Sequence, residues 1–90
     1  MKSDYVATIG GKEVFIENVQ KETREEVIGK YKACRKEKGM TQMQLASRTG
    51  ISQPNITRFE SGNYNPSLEM MVRIAYALDM KLDIKLVNEE

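Results

Sequence analysis

Few side chains in this sequence of 90 residues are equipped for covalent or acid–base chemistry. It has no histidine, so the commonest general base and the commonest metal ligand are both missing. Its single cysteine, Cys34, cannot close an internal disulfide. One cysteine without histidine also leaves no zinc site of the usual nitrogen–sulfur type. No two carboxylates stand at a recognisable catalytic spacing, and neither a phosphate-binding P-loop nor a G-x-S-x-G nucleophile turn occurs. The expectation is a binding protein with no catalytic activity, metal or cofactor.

Recognition chemistry is what remains, and its charge is unevenly placed. The formal net charge is only +1. Residues 1–30 balance at −1 and residues 66–90 at −2. Residues 31–65 balance at +4, with Lys32, Arg35, Lys36, Lys38, Arg48 and Arg58 against Glu37 and Glu60. A basic middle third is either an ordinary solvated face or a surface for phosphates. Within it, Gln53, Pro54, Thr57 and Arg58 share one side of a short helical pattern whose other side carries Ile56 and Phe59.

The elements that must position these groups can be read from caps and periodicity. Thr41-Gln42-Met43-Gln44 has capping-box spacing, with Met40 and Leu45 at the staple positions around it. This second helix is short and stops at Gly50. A third helix starts at Ser52, with Ile51 and Ile56 as its staple, and stops at Gly62. Pro54 is tolerated there because a first-turn amide has no partner to lose. Upstream, Thr23-Arg24-Glu25-Glu26 predicts the start of a first helix, with Val27, Tyr31 and Cys34 on one face beside Ile28, and a stop at Gly39. Downstream, a fourth helix follows the loop 63–66, capped by Ser67 or by Asn65 before Pro66, with Leu68, Met71, Val72, Ala75 and Leu78 as its core stripe.

The two ends read as strands. Residues 5–16 flank Gly10-Gly11 as a two-residue hairpin that sets Tyr5 against Ile16 and Ala7 against Val14. Residues 81–87 alternate polar and apolar up to Leu86, which is strand periodicity. A lone strand needs a partner, either the hairpin or a second copy.

Size and composition bound the answer. Hydrophobic residues make up 40% and charged residues 30%, as in a soluble globular domain. A chain this short buries about 60–65% of its unfolded surface, so its core is small. No apolar run approaches the length of a membrane span, no signal-peptide pattern opens the chain, and the unpaired cysteine suits a reducing, cytoplasmic compartment.

The pair of short capped helices joined by Gly50-Ile51-Ser52 has the physics of a helix-turn-helix, in which one helix braces and the next projects a polar face. The residues Gly39-Met40-Thr41-Gln42-Met43-Gln44-Leu45-Ala46, Gly50-Ile51-Ser52-Gln53, Ile56, Arg58-Phe59-Glu60-Ser61-Gly62 and Pro66-Ser67-Leu68 resemble the Cro and repressor type, the XRE family. The resemblance covers residues 30–80. It implies a mainly α, lambda-repressor-like helical bundle that binds double-stranded DNA. It implies that helix 52–61 enters the major groove, with Gln53 on an adenine edge, Arg58 on a guanine edge and Pro54 against a thymine methyl. Gln42 resembles a phosphate contact, and Ser52, Asn55, Thr57, Asn63 and Asn65 would also touch the backbone. Arg35 and Glu60 take positions that form a partly buried, structural ion pair in that family.

The resulting architecture is a hairpin extension over 1–22, a helix-turn-helix domain over 23–80 and a strand over 81–90. A homodimeric repressor is expected, because such domains read two half-sites. The strand tail also resembles HigA-like antitoxins, which implies a protein toxin as an alternative partner.

Overall fold

A computed structural model of the chain describes residues 6–9 and 12–88. Two strands open it, β1 (Val6–Ile9) and β2 (Lys12–Phe15), paired antiparallel with Ala7 opposite Val14 and Val6 opposite Phe15. Tyr5, Gly10 and Gly11 lie outside the described residues. Ile16 is not part of the hairpin; it is the first residue of α1 (Ile16–Glu37).

Helix α1 therefore begins seven residues before the expected start at Thr23, and the expected boundary between residues 22 and 23 falls inside one continuous helix. The Thr23 hydroxyl does not cap: it donates to the Val19 carbonyl one turn back, at 2.9 Å. No glycine or proline interrupts residues 16–28, and Glu, Gln and Lys there are good helix formers.

Three shorter helices follow, each capped by a hydroxyl. Helix α2 (Gln42–Thr49) opens with a full capping box between Thr41 and Gln44. Helix α3 (Gln53–Ser61) is capped by Ser52, and α4 (Leu68–Ala77) by Ser67. Gly50 and Gly62 end α2 and α3 at φ of 76° and 78°, left-handed angles that suit glycine.

The helices enclose one core of Ile28, Tyr31, Leu45, Ala46, Ile56, Phe59, Ile74, Ala75 and Leu78. Phe59 is wholly buried and meets the Tyr31 ring edge-on, centroids 5.1 Å apart. Tyr31 also donates its hydroxyl proton to the Met71 carbonyl at 2.8 Å, pinning α1 to α4.

The expected stripe on α4 needs correction. Leu68 and Val72 are exposed, and the inward face is Met71, Ile74, Ala75 and Leu78. Glu69 and Arg73 mark the polar side of α4, but apolar residues cover more than half its circumference, so spacing alone leaves more than one inward stripe open; packing on α1 and α2 selects Met71, Ile74, Ala75 and Leu78.

The expected C-terminal strand is also corrected. After α4 the chain turns at Asp79, φ 60°, and residues 80–88 carry no regular secondary structure. Leu82 rests against the core, but Ile84, Leu86 and Val87 are exposed. Alternation aims side chains; it does not supply the neighbouring strand that a ladder requires. Among the described residues, no helix is long and apolar enough to cross a membrane.

Candidate nucleic-acid interface

The turn between α2 and α3 is held by short-range bonds that its sequence dictates. The Thr49 hydroxyl lies 2.9 Å from the Leu45 carbonyl and accepts from the Ile51 amide at 3.1 Å. Ser52 then accepts from the Asn55 amide at 3.3 Å, so its hydroxyl serves as a cap. Helix α3 buries Ile56, Phe59 and Glu60 and leaves Gln53, Pro54, Asn55, Thr57 and Arg58 exposed. The inward and outward faces separate cleanly, as the helical period requires.

Beneath the exposed face lies a polar cluster. Arg35 and Glu60 form a buried two-pronged pair, Nε to Oε2 at 2.7 Å and Nη2 to Oε1 at 2.9 Å. Arg35 Nη1 also donates to the Met40 carbonyl at 2.8 Å. Gln42 donates from Nε2 to Glu60 Oε1 at 3.0 Å. Burial pushes the Glu60 carboxyl up; hydrogen bonds from Arg35 and Gln42 and the charges of Arg35 and Lys32 outweigh this and hold it below its ordinary value. Among the described residues, no buried side-chain nitrogen or oxygen lacks a partner.

Gln42 therefore keeps one amide proton for a phosphate, the other being given to Glu60. It is half-buried, and its Oε1 accepts from the Thr57 hydroxyl at 2.9 Å and from Gln53 Nε2 at 3.4 Å. One amide thus joins the buried carboxylate of α3 to two exposed side chains of the same helix. The Thr57 proton can go instead to the Gln53 carbonyl, 3.1 Å away.

Arg58 makes a different contact. Its guanidinium sits over the Tyr64 ring, 4.9 Å from the centroid, and the Tyr64 hydroxyl is 3.4 Å from Met70 Sδ. The loop between α3 and α4 is gripped from α1: Arg24 donates from Nε to the Gly62 carbonyl and from Nη1 to Asn65 Oδ1, both at 2.7 Å. Gln20 donates to the same Asn65 oxygen. Asn65 is thus bound to α1, while Asn63 is exposed, with its amide on Ser61 Oγ at 3.1 Å.

Sequence reading did not find Gln20 or Arg24, because it placed residue 20 in an extension and gave residue 24 no partner. The unbroken run of helix formers before Thr23 was the available signal. Nor did it place Tyr64 beneath Arg58, a contact made across a loop. With Arg35 neutralised by Glu60, the basic excess of residues 31–65 rests on Lys32, Lys36, Lys38, Arg48 and Arg58. Arg48 has an exposed partner in Asp79 at 3.7 Å.

A family model described as helix-turn-helix matches residues 32–85. The chain is 38% identical over 58 residues to the uncharacterized HTH-type transcriptional regulator YqaE of Bacillus subtilis, covering 64% of this chain and 50% of that protein. It therefore spans about half the length of that relative. It is 39% identical over 59 residues to the immunity repressor protein of Bacillus phage phi105, covering 66% of this chain and 40% of the repressor. A chain described as a toxin–antitoxin module from Streptococcus pneumoniae superposes with a TM-score of 0.66 at 27% identity, covering 83% of this chain and 82% of that one.

Proposed function

The chain belongs to the helix-turn-helix family, and from that premise we propose that it is a homodimeric transcriptional repressor that reads duplex DNA by seating α3 in the major groove. The exposed row Gln53, Pro54 and Arg58, on a helix whose opposite face is locked into the core, is the observation that carries this reading. Gln53 pairs with an adenine edge, Arg58 with a guanine edge, and Pro54 touches a thymine methyl. Ser52, Asn55, Thr57, Asn63 and Asn65 contact the DNA backbone. Gln42 contributes its remaining amide proton to a phosphate while holding Gln53 and Thr57 in place.

The test is selection from random duplexes followed by titration of the winners. The wild type should enrich one motif. Gln53→Ala and Arg58→Ala should each lose about 1–3 kcal/mol of discrimination at one base position. Gln42→Ala should weaken all sequences more evenly. Selection without an enriched motif would sink the reading.

A second reading, an antitoxin that also masks a protein toxin, is favoured by the likeness to the toxin–antitoxin module and by an apolar groove. That groove, about 980 Å³, is lined by α1, α4 and residues 80–85, including Val27, Tyr31, Met71 and Leu82, and by no residue of α2 or α3. Co-expression with the product of an adjoining gene tests it. A complex that survives Arg58→Ala but not Ile84→Asp supports the second reading, and absence of any complex removes it.

A further inference from the structure

The exposed face of α3 is flanked by a loop with little support of its own. Among the described residues, no backbone–backbone hydrogen bond involves residues 63–66, between α3 and α4. The Asn63 amide bonds to the neighbouring Ser61 hydroxyl at 3.1 Å. The Tyr64 hydroxyl has a weak partner in Met70 Sδ at 3.4 Å. A segment so sparsely bonded opens easily unless something outside it holds it. Yet Tyr64 is half-buried, with its ring under the Arg58 guanidinium.

The restraint comes from α1. Arg24, half-buried, donates from Nε to the Gly62 carbonyl and from Nη1 to Asn65 Oδ1, both at 2.7 Å. Gln20, one turn earlier on the same helix face, donates to the same Asn65 oxygen. The two gripped residues, Gly62 and Asn65, bracket Asn63 and Tyr64. A planar guanidinium gives both bonds from one rigid fork, so it fixes the spacing of the two loop residues as well as their place. Its charge makes each bond stronger than a neutral one. Gln20 and Arg24 lie upstream of the stretch that the helix-turn-helix family model matches.

We propose that Arg24 is a positioning residue for base reading: by bracketing the loop it sets the Tyr64 ring beneath Arg58, and through that ring it fixes the guanidinium that meets the DNA. An unrestrained arginine loses rotamer freedom when it binds, and one already held over a ring loses less. The chain of contacts runs from Arg24 to Gly62 and Asn65, then to Tyr64 and to Arg58. It extends specificity from α3 into the N-terminal half of α1, and it rests on the repressor reading above.

Two measurements test this role, one of them without DNA. In the free protein, the Arg58 side-chain protons should show an upfield ring-current shift from Tyr64 in nuclear magnetic resonance. Arg24→Ala should reduce that shift toward its value in Tyr64→Leu. Arg24→Lys should do the same, because it keeps the charge and lacks the fork. Both variants should speed amide exchange about tenfold more at Asn63–Asn65 than at Ile56 and Phe59. In duplex titrations, each should lose about two- to fivefold of the discrimination at the base Arg58 reads, as Tyr64→Leu does. In a Tyr64→Leu background, Arg24→Ala should cost no further discrimination, since both act through one ring.

An Arg58 shift that survives both Arg24 variants would overturn the proposal. So would exchange that rises equally in the loop and the core, which is general weakening of the fold. A loss equal for all sequences, rescued by Arg24→Lys and lowering the salt slope by about one, would make Arg24 a phosphate contact instead. Selection that enriches no motif removes the repressor reading, while loss of the Arg58 shift in Arg24→Ala still supports the clasp.

Discussion

Glu60 binds three helices through one carboxylate: it lies on α3, pairs with Arg35 of α1 and accepts from Gln42 of α2. Removing one member strands a buried charge, whereas removing both does not. Glu60→Gln or Arg35→Met alone should cost about 3–5 kcal/mol in urea unfolding, and Arg35→Met with Glu60→Leu much less than their sum. The same pair sets an acid limit. Glu60 titrates below its ordinary 4.5 when folded, so its contribution is fully present above about pH 4.5 and is lost as pH falls through the folded value. Replacing Glu60 with Gln should flatten that acid limb in thermal melts at stepped pH. Arg58 is governed by its own neighbour. If Arg58 reads a base as proposed, Tyr64→Leu should lose about 0.5–1 kcal/mol of discrimination at that position, and Tyr64→Phe should keep it, because the ring face holds the guanidinium. Equal losses for both variants would assign the effect to the hydroxyl and Met70 instead.

At the scale of elements, local chemistry and packing divide the work. The limits of α2 and α3 were legible because a capping hydroxyl, a staple and a closing glycine all lie within a few residues of each other. Thr41→Ala should therefore cost about 1 kcal/mol, read from the urea midpoint, with the exposed residues of α3 untouched. Gly29 lies inside α1 with nothing within 4 Å of where a Cβ would stand. Gly29→Ala should raise stability by up to about 1 kcal/mol, and a lower melting temperature would show that the helix needs the freedom of glycine there. The start of α1 was misread because Thr23 and Glu26 have capping-box spacing within a helix already under way, where the hydroxyl turns back to Val19. The inward face of α4 was half misread because, away from Glu69 and Arg73, its apolar residues offer more than one stripe of the right spacing.

Across the whole molecule, the core is small and includes the wholly buried Phe59, which lies on α3 and meets the Tyr31 ring of α1. Phe59→Ala should cost about 3–5 kcal/mol, most or all of the stability of a domain near the low end of the 5–15 kcal/mol range. Loss of helical circular dichroism at 37 °C checks it. The sequence alone determined the two short helices, their turn and the polar row on α3, since caps, staples and the 3.6-residue period act over one or two turns. It also determined that Arg35 and Glu60 are of types that can pair. Tertiary structure decided that Gln42 turns toward Glu60, that α1 grips the loop through Arg24, that Tyr64 lies under Arg58, and that residues 80–88 form no strand despite their alternation. Each of those depends on groups distant in sequence meeting in space, and no local pattern records which of several compatible partners arrives.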